Sequence, residues 1–274
     1  MATLRVGGGA VDPRERTVPV ETPVAFVYNG TTYAVMMATP HDLEAIAMGF
    51  SLSEGIVSSG VEIQSLEVVS HEQGIELRMW LDEGRARRLA ERRRHVAGPT
   101  GCGLCGIESL AEAVPALRPI TSDARFTADE IFQALTTLAP AQELNRSTHA
   151  VHGAGFWSPS GGLVALAEDV GRHNALDKLV GTLAIRGADA TIGIVLLTSR
   201  VSVEMVQKTA MAGAPVIVAV SAPTDLAIRT ADAAGITLVA VARADGFEVF
   251  THPERLGLDH KGRRITVKVS DHAA

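Results

Sequence analysis

Between residues 191 and 242 the chain alternates short apolar runs with helical segments in a regular order. The spacing predicts a strand over 191–198, a helix over 202–213, a strand over 215–220, a helix over 224–234 and a strand over 236–242. Runs such as Ile192–Leu197 and Val216–Val220 show no apolar–polar alternation. Strands of that kind are buried on both faces. They imply a mainly parallel sheet with a layer of helices on either side.

A strand pair, 149–157 and 162–168, joined by Ser158-Pro159-Ser160-Gly161-Gly162, and a helix near 172–186 come just before this block. A hairpin followed by helix and strand in turn is the order found in cytidine-deaminase-like folds. The expected fold class is therefore α/β, a cytidine-deaminase-like three-layer α/β/α sandwich over residues 124–274. An N-terminal α+β subdomain, 1–123, precedes it. In that subdomain Pro23–Tyr28 and Thr32–Met37 flank Asn29-Gly30, a tight-hairpin signal. Thr39-Pro40 offers a helix cap with proline at the first helical position, and Leu43, Ile46, Ala47 and Phe50 follow helical spacing. Two further strands, Leu66–Ser70 and Ile75–Trp80, lead to a basic helix over 83–95, a Gly98-Pro99 break and a short helix over 107–114. Residues 115–123 read as a linker, and Thr127–Leu144 as one amphipathic helix with Ile131, Leu135 and Leu138 on a face.

With 46% hydrophobic and 20% charged residues the chain can bury a substantial core, and a net charge of −6 argues against a general nucleic-acid binder. Arg85, Arg87, Arg88, Arg92, Arg93 and Arg94 form a local basic cluster: a solvated helix face, or a docking face for an acidic or phosphate-bearing partner. Met1–Arg16 lacks the apolar run of a signal peptide, and no segment approaches the ~18 apolar residues needed to span a bilayer. Two cysteines make a poor disulfide framework for a secreted chain of this size. The expectation is a cytoplasmic protein with no membrane partner.

Both cysteines fall in Gly101-Cys102-Gly103-Leu104-Cys105-Gly106. A structural zinc site needs four ligands, and His95 is the nearest third. A thioredoxin-like redox pair expects an N-terminal βαβ unit that the sequence does not supply. Inert burial is a third reading. The fourth, favoured here, is a glycine-flanked nucleophilic loop in which Cys102 and Cys105 carry the chemistry, nearby arginines favour the thiolate, and no metal is bound.

A second constellation, Glu168-Asp169-Val170-Gly171-Arg172-His173-Asn174-Ala175-Leu176-Asp177-Lys178, occupies a strand-to-helix junction. Ligands collect at such junctions, and free N–H groups there favour anions. The bland alternative is an ordinary helix cap, with Asn174 or Asp169 capping the first turn and Asp177 and Lys178 solvated. Thr198-Ser199-Arg200-Val201-Ser202, with Glu204 and Lys208, lies at the next junction, so Arg200 and Ser202 should fall near Arg172 and His173. Val241-Ala242-Arg243-Ala244-Asp245-Gly246 follows the last strand. His152 either points to the same rim or is a satisfied core histidine. Three adjacent junctions of this composition describe one ligand rim suited to a phosphate-rich molecule. The zinc signature of nucleobase deaminases is absent, since no cysteine follows residue 105.

These residues resemble the formate dehydrogenase accessory sulfurtransferases, the FdhD-type sulfur carriers. The resemblance rests on Cys102-Gly-x-Cys-Gly106, the Glu168–Lys178 run, Arg200-x-Ser-x-Glu204 with Lys208, Pro215, Gly235-x-Thr-Leu238 and Arg243, and covers about Glu21 to Leu256. It implies a cytoplasmic, usually homodimeric carrier that takes persulfide sulfur from a cysteine desulfurase. The sulfur passes to the molybdenum or tungsten of the bis-molybdopterin guanine dinucleotide cofactor, a bound substrate that a GDP-like nucleotide would mimic. Formate dehydrogenase apoenzyme is then the client. It further implies that Cys102 carries the persulfide, that Cys105 assists or resolves it, and that the rim, above all Val241–Gly246, cradles the cofactor. A cofactor-binding chaperone that handles no sulfur is the alternative. Where the family usually shows Thr-Gly-Gly-x-His this chain has Thr148-His149-Ala150-Val151-His152, and for Ser-Gly-Arg it has Thr198-Ser199-Arg200.

Overall fold

The computed structural model describes residues 1–96, 117–259 and 261. The cysteine loop and the helix expected over 107–114 lie outside the described residues.

Among the described residues twelve strands form three sheets. β1 (Ala2–Gly7) and β2 (Ala10–Glu15) make a separate antiparallel hairpin. β3 (Thr22–Tyr28), β4 (Thr31–Ala38), β5 (Ile63–His71) and β6 (Gly74–Leu81) form a four-stranded sheet in the order β4-β3-β6-β5, with β3 and β6 parallel. The β3–β4 turn has both Asn29 (φ 46°) and Gly30 (φ 76°) left-handed, the mirror-image turn that matches strand twist. The Asn29 amide group also exchanges hydrogen bonds with the Leu81 backbone at the end of β6, at 2.9 and 3.0 Å.

The larger sheet contains β7 (His152–Ser158), β8 (Gly162–Asp169), β9 (Ile194–Leu197), β10 (Val216–Ala219), β11 (Thr237–Arg243) and β12 (Gly246–Val249). Their order is β12-β11-β10-β9-β7-β8, and β9, β10 and β11 run parallel. Alternate residues feed opposite cores. Phe156, Val195, Leu197, Ile217, Ala219, Leu238 and Ala240 pack under α5 (Arg172–Arg186), α6 (Val203–Ala212) and α7 (Asp225–Ala233). Trp157, Ile194, Leu196, Val216, Val218 and Val239 pack on the other face with Ile131, Ala134 and Leu138 of α3 (Ala128–Ala141). The expected three-layer α/β/α sandwich with an N-terminal α+β portion is the observed architecture. Leu117 and Ile120 also pack against the first of these cores, and the Ile120 amide donates to Ala234 at 2.9 Å.

One helix joins the layers. α1 (Leu43–Ser53) sets Ile46, Ala47 and Phe50 into the core of the four-stranded sheet and lays its other face on α5. Two glycines meet at that crossing. A Cβ on Gly49 would stand 1.7 Å from the Asp177 carbonyl oxygen, and one on Gly181 would stand 1.8 Å from that of Ala45. The helices therefore touch backbone to backbone, and only glycine fits at either position.

Several local expectations are corrected. Thr39 does not cap α1, which starts at Leu43 behind Asp42 in a left-handed conformation (φ 53°); Thr39 is used elsewhere, as described below. The helix expected over 127–144 breaks at Gln142, because Pro140 removes a helical donor in the last turn of α3. A short α4 (Glu143–Thr148) follows, its Leu144 and Asn145 amides donating to the Glu168 carboxylate at 2.8 Å each. It ends on His149 at φ 53°, so β7 begins only at His152. The left-handed helix end, at the first position where the resemblance led one to expect glycine, is built here with histidine. Residues 190–192 form a 3₁₀ turn, not the start of β9. The basic helix appears as α2 (Glu83–Val96); Arg85 pairs with Glu62, while Arg87 and Arg88 face solvent. Among the described residues no helix is long and apolar enough to cross a membrane.

Candidate functional site

The register of the large sheet brings four chain segments to one level. Ala154 pairs with Leu197 and Leu197 with Ala219, and the Val218–Val239 pairing sets Ala240 beside Ala219. One residue further out, the Thr198 amide donates to Gly153 at 3.1 Å and the Thr198 hydroxyl accepts from the Gly153 amide at 2.9 Å. The Val220 amide donates to Leu197 at 2.9 Å, and that of Val241 to Ser221 at 3.2 Å. Beyond the sheet the loops stay coupled: the Val201 amide donates to Ala222 at 3.2 Å and the Thr224 amide to Val201 at 2.9 Å. His152 is the register partner of Asp169 at the same end. The expected rim residues thus belong to one edge, built from the start of β7, the ends of β8–β11 and the N-termini of α5 and α6. His152 is half-buried at this edge and no core residue.

Three arginines line this edge, and the Glu204 carboxylate lies within electrostatic reach of Arg172 and His173. Arg172 is half-buried, and its Nε is buried without a hydrogen-bond partner. Arg200 and Arg243 are exposed. Burial first, and then the Arg172 guanidinium, hold His173 down at about 4. The same two causes, in the same order, lower His152. Two neutral imidazoles beside a guanidinium with an unused N–H form a setting that an anion would complete. Arg243 folds back along the rim, its Nη1 donating to the Val220 carbonyl and to that of Ala242 at 2.9 Å. Ala242 is buried, whereas Ala244 and Asp245 project into solvent in the turn that returns through Gly246. Ser202 is the residue before α6 and makes no side-chain cap bond.

Val241 stands apart, because a β-branched residue at φ 52° is a backbone outlier. It lies within the register shift of the β11–β12 pairing, between Ala240 and Arg243, two residues before the arginine whose Nη1 reaches Val220. Strain of this sort persists only where surrounding structure holds it. Ser199, the other position where the resemblance led one to expect glycine, is buried without any left-handed backbone.

The bland reading of the Glu168–Lys178 run is overturned. Asp169, Asp177 and Lys178 are fully buried, and α5 is capped by none of them. Lys178 Nζ lies 2.7 Å from Asp169 and donates to the Thr39 hydroxyl at 2.8 Å and carbonyl at 3.0 Å. Lys208 Nζ meets both Asp177 oxygens at 2.9 and 3.0 Å, Ser53 Oγ at 3.0 Å and Glu54 at 3.3 Å, while Ser53 donates to Asp177 at 2.5 Å. Through Thr39, Ser53 and Glu54, the two buried lysine–aspartate pairs thus tie the N-terminal layer to the back of the rim. Thr39 and Ser53 carry no sequence signal for this role; the i, i+1 placement of Asp177 and Lys178 in an apolar helix was the available hint. An open cleft of about 450 Å³ lies elsewhere, along the outer edge of β8, lined by His41, Ala141, Leu144, Leu163, Leu166 and Arg186 among others.

A family model described as "FdhD/NarQ family" matches residues 19–257. The chain belongs to the FdhD/NarQ family. Within that family it is 56% identical over 243 residues to "Sulfur carrier protein FdhD" of Agrobacterium fabrum, covering 88% of this chain and 90% of that one. The protein of the same name from Cupriavidus necator is 50% identical, with 87% and 83% covered. The crystal structure of a protein assigned as a formate dehydrogenase accessory protein from Desulfotalea psychrophila superposes with a TM-score of 0.75 at 28% identity, covering 93% of this chain and 97% of that one. The FdhD/NarQ match takes in every rim residue and both buried ion pairs, and leaves out the β1–β2 hairpin.

Proposed function

We propose that this protein is a sulfur carrier and sulfurtransferase that serves formate dehydrogenase. It accepts sulfane sulfur from a cysteine desulfurase and delivers it to a molybdenum or tungsten bis-molybdopterin guanine dinucleotide, held as substrate on the rim. The names of its relatives support the general role. The observation that carries the finer reading is the rim itself: three arginines and two neutral histidines at one sheet edge, with a buried Arg172 donor unused. A dinucleotide offers phosphates to such donors. The dimeric state, the desulfurase and the cytoplasmic location form part of the same proposal.

The chemistry needs the two thiols. Thiolate Cys102 attacks the terminal sulfur of the desulfurase persulfide, the donor cysteine leaves as thiolate, and Cys102 holds the persulfide. Thiolate Cys105 then attacks the Cys102 sulfur. A Cys102–Cys105 disulfide forms, the terminal sulfur departs as hydrosulfide for the metal, and a thiol reductant resets the pair.

Mass spectrometry after incubation with a desulfurase and cysteine tests the reading. One added sulfur atom is expected on the wild type and none on Cys102→Ala. An unchanged adduct on Cys102→Ala removes Cys102 as carrier. Full restoration of formate dehydrogenase activity by Cys102→Ala in a strain lacking the protein favours a chaperone that handles no sulfur.

A further inference from the structure

Asp169 closes β8, and its two carboxylate oxygens serve different halves of the molecule. Oδ2 accepts from the Thr39 amide at 3.0 Å and hydroxyl at 2.7 Å, and faces Lys178 Nζ at 2.7 Å. These contacts fix the exit of β4, in the N-terminal layer. Oδ1 accepts from the Gly171 amide at 2.8 Å and from Asn174 Nδ2 at 3.0 Å; Nδ2 also donates to the Met37 carbonyl at 2.8 Å. That side holds the turn from which Arg172 and His173 project. A Cβ on Gly171 would meet Asn174 Nδ2 at 2.8 Å, so the turn is seated directly against the Asp169–Asn174 pair.

We propose that Asp169 is a positioning residue for the rim: one fully buried carboxylate sets the Arg172–His173 turn relative to the strand that leads out of the N-terminal layer. An ion pair is not required for stability in such a place, since a buried pair can often be replaced by apolar residues at little cost. What an apolar pair cannot replace is the acceptor beneath Gly171 and Asn174. A group that orients ligand-binding side chains from behind shows its loss in the geometry of those side chains, not only in the folding free energy.

The test compares three variants and rests on the reading that the rim binds a guanine nucleotide. Asp169→Leu with Lys178→Met removes the ion pair and the acceptor together. Asp169→Asn with Lys178→Met removes the ion pair but keeps one oxygen for the Gly171–Asn174 side. Urea unfolding reports folding, calorimetry with guanosine diphosphate reports the rim, and an NMR titration of the His173 ring reports the turn without ligand. The Leu/Met variant is expected to bind the nucleotide about tenfold more weakly, and its His173 to titrate nearer the ordinary histidine value. The Asn/Met variant is expected to recover affinity to within about threefold. Should Leu/Met fail to fold, Asn174→Ala cuts the same side while leaving Lys178, Asp169 and Thr39 joined, and the same loss is expected. A folded Leu/Met variant with unchanged affinity and unchanged His173 titration overturns the proposal. Wild-type protein that binds no guanosine diphosphate overturns the nucleotide reading instead, and the His173 titration still decides the role of Asp169.

Discussion

Replacing Gly49 by alanine drives a methyl carbon to 1.7 Å from the Asp177 carbonyl oxygen and 2.7 Å from the Gly181 amide. Ordinary contact needs about 3.4 Å, so the two helices must part by roughly 1.7 Å. α1 has no free direction in which to move. Its opposite face holds Ile46, Ala47 and Phe50 in the core of the four-stranded sheet. Its last turn supplies Ser53, which together with Glu54 just beyond is tied to Lys208 and Asp177. Overpacking costs about 1–3 kcal/mol, and spoiling a buried ion pair adds to it. The expected loss is therefore about 3–5 kcal/mol, a drop in Tm of roughly 6–20 °C. Urea and thermal unfolding of Gly49→Ala measure it. Gly84→Ala is the control: it sits in α2, where the added carbon meets the flexible ends of Asp82 at 3.2 Å and Arg88 at 3.7 Å, and alanine should stabilise by up to ~1 kcal/mol. A Gly49→Ala protein within about 0.5 kcal/mol of wild type refutes the backbone-contact account of the layer junction.

Arg172→Ala is expected to weaken guanine-nucleotide binding by about 1.5–3 kcal/mol, read by calorimetry; unchanged affinity removes Arg172 from the rim. His173 stays neutral in the fold, held at about 4, whereas in the unfolded chain it takes a proton near 6.5. The unfolded state therefore binds more protons as pH falls between those values, and this group's contribution is lost across that window. The loss is on the order of 2 kcal/mol, and His173→Gln should flatten the stability profile between pH 6.5 and 4 by that amount. An identical slope in the variant contradicts the assignment. Val241→Gly should raise stability by about 1 kcal/mol by releasing the left-handed strain, yet weaken nucleotide binding because the Arg243 turn is no longer held. Destabilisation by this change refutes the strain.

The layers of the fold were readable because their signal is local and repeated. Val216, Ile217, Val218 and Ala219 are all fully buried, as an unbroken apolar run between helices requires, and Asn29-Gly30 makes the turn its residues favour. The placement of the strand ends was readable for a related reason: the loops after parallel strands emerge at one edge of the sheet, so Arg172, Arg200 and Arg243 lie along that edge, after β8, β9 and β11. What failed were positions settled by distant partners. Thr39 looks like a cap, but the Asp169 carboxylate, 130 positions later, competes for its amide and hydroxyl. Asp177 and Lys178 look solvated, because nothing nearby in sequence announces Lys208 or Thr39 as partners. Gly49 and Gly181 look like weak points in helices until the two are seen to cross. The β1–β2 hairpin escaped notice because Gly7–Gly9 and Pro13 obscure its alternation.

The central claim is that a thiol of the cysteine loop and the rim proposed to hold a nucleotide work as one site. A guanine nucleotide bearing a thiol-reactive group on its terminal phosphate probes this directly, with peptide mapping to locate the adduct. The account predicts labelling at Cys102 that falls sharply with excess guanosine diphosphate and in Arg172→Ala. Labelling that ignores both the competitor and the Arg172 substitution, or no labelling of a protein shown to bind the nucleotide, would contradict it.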